Sequence, residues 1–99
     1  MLKLECKRVR FLSELDELSF FDRIGKIKCI KSYEGISAAI FLNISSNKIA
    51  DSCLRELISL FHRYKIDSSC LRIFLSAKNK TWFMNADKYW HKEIFITKG

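Results

Sequence analysis

Between Lys48 and Lys65 the chain carries a long apolar stripe at helical spacing, and no other stretch constrains the fold as tightly. Ile49, Cys53, Leu54, Leu57, Leu60, Phe61 and Tyr64 recur every one to four positions. Residues three and four apart stand on one side of an α-helix, so this set forms a single apolar face. Asp51, Ser52, Arg55, Glu56, Ser59, His62 and Arg63 fall largely on the opposite side. Asp51 and Arg55 are four apart with the acid first, the stabilising order. Ser45, Ser46 and Asn47 offer caps in front of this helix. Its apolar face needs a cover, and a chain of 99 residues has room for one core.

The expected cover is a sheet. Leu2, Leu4 and Cys6 alternate with Lys3, Glu5 and Lys7, the period of a strand with one wet face. Lys26 to Tyr33 reads as a second strand, Glu34-Gly35 as a tight turn, and Ile36 to Ile44 as the neighbouring hairpin strand. That last run is apolar on both faces, which places it in the centre of a sheet with helix cover. Leu71 to Leu75 reads as a further strand after the polar turn Asp67-Ser68-Ser69. The tail from Thr81 to Thr97 reads as a short strand, a turn around Asn85-Ala86-Asp87, and a last strand from Glu93 to Thr97.

A first helix is expected to start at Ser13, whose hydroxyl can cap an early amide. Glu14, Asp16 and Glu17 then face the positive end of the helix dipole. Leu15, Leu18 and Phe21 or Asp22 follow at helical spacing, and Gly25 is a natural stop. The order β-α-β-β-α-β-β predicts one α+β domain spanning 1–99. It comprises a mostly antiparallel sheet of four to five strands with two helices packed on it.

Composition excludes several function classes. A hydrophobic fraction of 48% with 13% aromatics is incompatible with a disordered chain. The longest nearly apolar run, Ile36 to Ile44, is far shorter than the about 20 residues a bilayer span needs, so no membrane partner is expected. The opening Met-Leu-Lys-Leu-Glu-Cys-Lys-Arg is charged from its third residue and does not read as a secretory signal. Cys6, Cys29, Cys53 and Cys70 form no CxxC pair and read as small buried hydrophobes in a reduced compartment. The cytoplasm is the expected home. No metal site is expected, because structural zinc needs ligands in tight pairs, and no cofactor is expected either.

Catalytic signatures are missing from the sequence. There is no GxSxG, no HExxH and no glycine-rich phosphate loop, since only Gly25 and Gly35 lie inside the chain. His62 falls on the wet face of the long helix and His91 follows Trp90 in an aromatic cluster, settings that suit a solvated and a packed histidine. The expectation is a protein that is not an enzyme.

Charge points to a macromolecular partner. The net charge is +7, yet residues 13–23 carry −3 through Glu14, Asp16, Glu17 and Asp22 against Arg23. A basic domain with one acidic segment invites either a polyanion or a protein of matching polarity. Lysines interleave with aromatics at 78–83 and 88–92, a pattern that releases counterions and stacks bases in nucleic-acid binders. The other reading of the same residues is that Trp82, Phe83 and Trp90 seal one end of the core while the lysines stay in water. The acids likewise have two readings, helix capping and docking.

Four runs carry a resemblance: Phe41-Leu42-Asn43-Ile44, Leu54-Arg55-Glu56-Leu57-Ile58, Phe61-His62-Arg63-Tyr64-Lys65-Ile66-Asp67, and Trp82-Phe83 with Tyr89-Trp90-His91-Lys92-Glu93-Ile94-Phe95. Across residues 36–96 the chain resembles small bacterial immunity proteins of contact-dependent growth inhibition and related polymorphic toxin systems. That resemblance implies a cytoplasmic, non-catalytic protein that binds the cognate toxin's C-terminal domain, often a nuclease, and neutralises it by stoichiometric association. The acidic segment would then enter a basic cleft, or binding would occur away from the toxin's active site. The interface residues expected first are Glu14, Asp16, Glu17 and Asp22, followed by a rim of Lys80, Trp82, Tyr89 and His91. The alternative function is a small basic nucleic-acid-binding module.

Overall fold

Three strands and two long helices build the core in the computed structural model, which describes residues 2–7, 9–36 and 39–96. The order is β1 (Leu2–Cys6), α1 (Glu14–Lys26), β2 (Ile30–Ile36), β3 (Ala39–Ile44) and α2 (Asp51–Arg63). A 3-10 turn (Ser69–Phe74), a one-turn helix α3 (Lys80–Phe83) and a π-helical turn (Lys92–Ile96) follow. The architecture is α+β with a three-stranded antiparallel sheet of spatial order β1-β3-β2.

β3 takes the central place, pairing Leu2 with Ile44 on one side and Ile30 with Ile44 on the other. One sheet face carries Leu4, Cys6, Leu42 and Ile44, all buried in one core with Phe20 and Ile24 of α1 and Leu54, Leu57, Ile58, Leu60 and Phe61 of α2. Alternation along the strands puts Lys3, Glu5, Glu34 and Asn43 on the other face, with half-buried Phe41 among them. There Asn43, itself buried, donates through Nδ2 to Ser32 Oγ at 2.8 Å and to Glu34 Oε1 at 3.1 Å. Lys3 closes the group by pairing with Glu34 at 3.1 Å.

The expected sheet of four to five strands is corrected to three strands among the described residues. Leu71 to Leu75 is no strand, because local hydrogen bonds wind it into a turn of period three. Asp67 Oδ1 accepts the Ser69 N–H at 3.0 Å, and the Leu71 N–H reaches the Ser68 carbonyl at 2.9 Å. Leu71 and Phe74 therefore point into the core while Ile73 stays exposed. Buried Asn79 holds the exit, donating to the Phe74 carbonyl at 2.7 Å and accepting from the Ser76 N–H at 2.8 Å.

The tail also coils rather than extends. Trp90 donates its indole N–H to the Phe83 carbonyl at 2.7 Å, so the segment 80–90 folds back on itself. The last element is the π-helical turn in place of a strand, with Ile94 fully buried. Arg72 Nε donates to the Ile94 carbonyl, tying this turn to the 3-10 turn. Ser37 and Ala38 of the expected strand Ile36 to Ile44, and Thr97 of the expected last strand, lie outside the described residues.

Smaller shifts have equally local causes. β2 starts at Ile30, because Lys26 is still helical and Cys29 lies in the turn between α1 and the strand. Glu34 and Gly35 pair with Phe41 and Ile40 as strand residues and make no turn. α2 is preceded by Ala50 with no side-chain cap, since Ser46 Oγ instead accepts the Lys48 N–H at 3.1 Å. Among the described residues no helix is long and apolar enough to cross a membrane.

Candidate protein-docking face

α1 begins as its sequence dictates. Ser13 Oγ accepts the Asp16 N–H at 3.3 Å, and Asp16 Oδ2 in turn accepts the Leu12 N–H at 3.2 Å. Asp16 is therefore spent on the helix start. Asp22 forms an i,i+4 ion pair with Lys26 at 3.0 Å. Glu14 and Glu17, three apart and both exposed, are the acids left to face a partner.

The side of α1 that enters the core differs from the expected one. Phe20 and Ile24, four apart, are buried, and Phe20 packs edge-on against Tyr64 of the α2 exit with centroids 5.0 Å apart. The expected core residues Leu15 and Leu18 are 73% and 65% exposed, and Leu12 just before the helix is 91% exposed. Both stripes of this short helix carry a phenylalanine, and the one that is buried sets Phe20 against the Tyr64 ring with Ile24 one turn on. The losing stripe remains in water, with Glu14 and Glu17 along one side of it. Phe21 extends it toward β2 by meeting Tyr33 with ring centroids 5.0 Å apart. Fully burying a leucine is worth roughly 1.5–3 kcal/mol, so the stripe holds free energy that folding leaves unclaimed.

The expected rim residues do different work. Trp82 is half-buried against α2, donating its N–H to Asp51 Oδ2 at 3.3 Å. The Arg55 guanidinium lies over its ring at 4.1 Å, a cation–π arrangement, and Trp90 meets it edge-on at 6.0 Å. Tyr89 is exposed and packs against the His62 ring at 4.5 Å. His91 is half-buried with its ring 5.7 Å from that of Phe95, and Lys80 is exposed at the start of α3. Trp82 and Tyr89 thus clasp the outer face of α2, while the acids line α1. They form two separate sets attached to different helices.

His62 is exposed on the wet face of α2, as expected, and also has a partner there. Its Nδ1 lies 3.0 Å from Glu93 Oε1, linking α2 to the π-helical turn. The pair borders an open cleft of about 570 Å³ that also includes Lys65, Asp67 and Ser68. In a carboxylate–histidine–nucleophile set the hydroxyl lies in hydrogen-bond reach of the histidine. The buried Ser68 hydroxyl has no hydrogen-bond partner among the described residues, so it makes no such pair with His62. Among the described residues no group of three or more His, Cys, Asp or Glu side chains is placed to hold a metal ion. Burial pushes the thiols of Cys6 and Cys29 up to about 12 and that of Cys70 to about 11, which keeps all three protonated at neutral pH.

Exposed Leu12, Leu15 and Leu18 are the residues that sequence reasoning missed as a surface. The available signal was the second spacing on the same helix, Phe20 to Ile24, which competes for the core. Comparison with known proteins finds no matching family model, no similar curated protein and no similar solved structure.

Proposed function

We propose that this chain is a cytoplasmic immunity protein that neutralises the C-terminal domain of a cognate toxin by stoichiometric association, without a covalent step. The observation that carries the reading is the exposed leucine stripe of α1 set among acids. An exposed apolar row edged by charge is the composition of an interface, with anchors at the centre and a polar rim. Its occupant is a basic protein domain, a nuclease, with an apolar groove bordered by lysine or arginine. The charge pattern favours that partner, because a basic domain is drawn to the −3 segment and repelled by the rest of a +7 chain. Complementary potentials of this kind speed encounter and select the docking face.

The nucleic-acid alternative has less support. Trp90 is buried and Trp82 is occupied by Asp51 and Arg55, so neither indole is offered to a base. The test is co-expression with a toxin domain encoded by a neighbouring reading frame, and a neighbourhood without one counts against the reading. Growth is rescued, and the two chains copurify as a 1:1 complex. Persistent growth arrest in the presence of soluble wild-type chain rejects the reading. Micromolar binding to generic RNA that collapses with salt would replace it with the alternative.

A further inference from the structure

The two outer strands of the sheet differ at their free edges. On β1, Leu4 and Cys6 are buried backbone and all, and the 3-10 turn borders a cleft alongside through Cys70 and Arg72. On β2, every residue from Lys31 to Ile36 is exposed except Glu34, which is half-buried. Gly35 has no side chain, so its exposure is that of the backbone, and a side chain added there would meet nothing within 4 Å. Tyr33 stands on the helix side of the sheet beside Phe21 and is 50% exposed, so α1 leaves room over this end of the strand. Among the described residues no strand pairs with the outer side of β2. Its outward N–H and C=O groups form a template for another strand.

We propose that the edge of β2 is a self-association site, where a second copy of this chain adds its own β2 antiparallel about a two-fold axis at Tyr33. A two-fold perpendicular to the sheet pairs residues of equal parity, so partners share a sheet face and outward backbone groups meet outward groups. With Tyr33 on the axis, Ser32 faces the partner subunit's Glu34, and the same pair recurs by symmetry. Ser32 Oγ accepts the Asn43 Nδ2 proton at 2.8 Å, and its own hydroxyl proton has no acceptor among the described residues. Glu34 engages Asn43 and Lys3 through Oε1, which leaves Oε2 to accept that proton. Donor and acceptor thus match twice across the axis, and no like charges stand opposite each other. An axis through Glu34 would oppose two carboxylates, and one through Ser32 would run the pairing into buried Cys29 and Ile30. Pairing stops at Lys31, where the register of β2 breaks. On the helix side the two Tyr33 rings meet, each backed by its own Phe21. One short strand a side is little against the about 20–30 residues of a standard interface, so the dimer is weak and forms at high concentration. Each copy carries +7, and salt relieves their repulsion, so association strengthens with ionic strength. The pairing uses β2 rather than the leucine stripe and does not rest on the immunity reading.

The experiment is sedimentation equilibrium of the full chain from low micromolar to millimolar concentration at low and high salt, with amide exchange followed along the same series. The average mass should climb toward that of two chains, further at high salt. Exchange within residues 31–35 should slow with concentration while exchange in α1 stays constant. Gly35→Lys fills open space and sets a lysine opposite the partner's Lys31, so it should weaken the dimer at least about tenfold and leave the monomer folded. Tyr33→Lys, which puts like charges on the axis itself, should do the same. A chain that stays monomeric throughout overturns the proposal, as does a dimer that survives both substitutions. A dimer abolished instead by Leu15→Ala with Leu18→Ala would seat the second copy on α1. Protection at 31–35 that appears only on adding the toxin domain would give the edge to that partner, and either result overturns self-pairing of β2.

Discussion

α1 and α2 are each thirteen residues long and pack on the same sheet face, yet they use their surfaces in opposite ways. α2 buries five large apolar residues, and the tail then covers its outer side through Trp82 on Asp51 and Arg55 and through Tyr89 and Glu93 on His62. α1 buries Phe20 and Ile24 and leaves Leu15 and Leu18 in water. One helix gives its whole apolar face to the core and leaves only polar and charged residues such as Arg55, Glu56 and Arg63 exposed. The other keeps a full apolar stripe that stability does not need, which is the room a binding function requires. The contrast has energetic consequences that substitutions on either helix can break.

The largest effect belongs to α2. Leu57→Ala removes a fully buried side chain from the centre of the core and should cost about 2–5 kcal/mol in urea unfolding. A loss under about 1 kcal/mol would mean that α2 is packed no better than α1. Trp82→Ala removes the clasp on the same helix, with its N–H bond, its cation–π partner and half its ring burial. About 2 kcal/mol is expected, since the ring is only half-buried and fully buried aromatics lose about 3–5.

On α1 the same chemistry should behave otherwise. Leu15→Ala combined with Leu18→Ala should change the unfolding free energy by under about 0.5 kcal/mol, as exposed positions do. The double variant should nonetheless weaken toxin association at least about tenfold by calorimetry, the loss expected when interface anchors are truncated. An unfolding cost matching that of Leu57→Ala would place the stripe in the fold after all. Unchanged affinity would move docking to another face.

The α2 exit supplies a change of opposite sign. Lys65 has φ of 55°, the left-handed region, and the Ile66 N–H bonds back to the Phe61 carbonyl at 2.9 Å. This is the helix-ending arrangement that favours glycine at the Lys65 position. Lys65→Gly should stabilise by about 1 kcal/mol, the steric penalty relieved exceeding the added chain entropy. A destabilised variant would show that the lysine stem packs on the cleft it borders.

Much of this contrast could be read from the residues, and the remainder has identifiable causes. The alternation of Leu2, Leu4 and Cys6 marks β1, the stripe from Ile49 to Tyr64 marks α2, and Ser13 marks the start of α1. Leu71, Ile73 and Leu75 alternate as a strand would, and Leu71 and Phe74 also fit a tight helical turn. Hydrogen bonds from Asp67 and Asn79 decide between them, and those depend on where the chain exits α2. α1 offers two apolar stripes, and only the shape of the sheet and the Tyr64 ring select Phe20 over Leu18. Periodicity records which residues could share a face, whereas the partner of that face is a property of the whole topology.

The smallest predicted effect tests that same exit from α2 through acid. Hydrogen bonds to Ser69 hold the Asp67 carboxyl below its ordinary value, with Lys7 and Arg72 adding to the shift and partial desolvation opposing it. A folded-state value below the unfolded one stabilises the native chain fully above the unfolded carboxyl value of about 3.9, and the contribution disappears as pH falls through the folded value. Glu34 is lowered in the same sense by Asn43 and Lys3, on the other face of the sheet. Asp67→Asn keeps an oxygen that can accept the Ser69 N–H but cannot titrate. Its stability should therefore lie near that of wild type at low pH and below it at neutral pH, and the acid limb of the urea midpoint against pH becomes shallower than in wild type. Parallel curves for the two proteins would remove Asp67 from the account of acid unfolding and leave Glu34 as the carboxyl to substitute next.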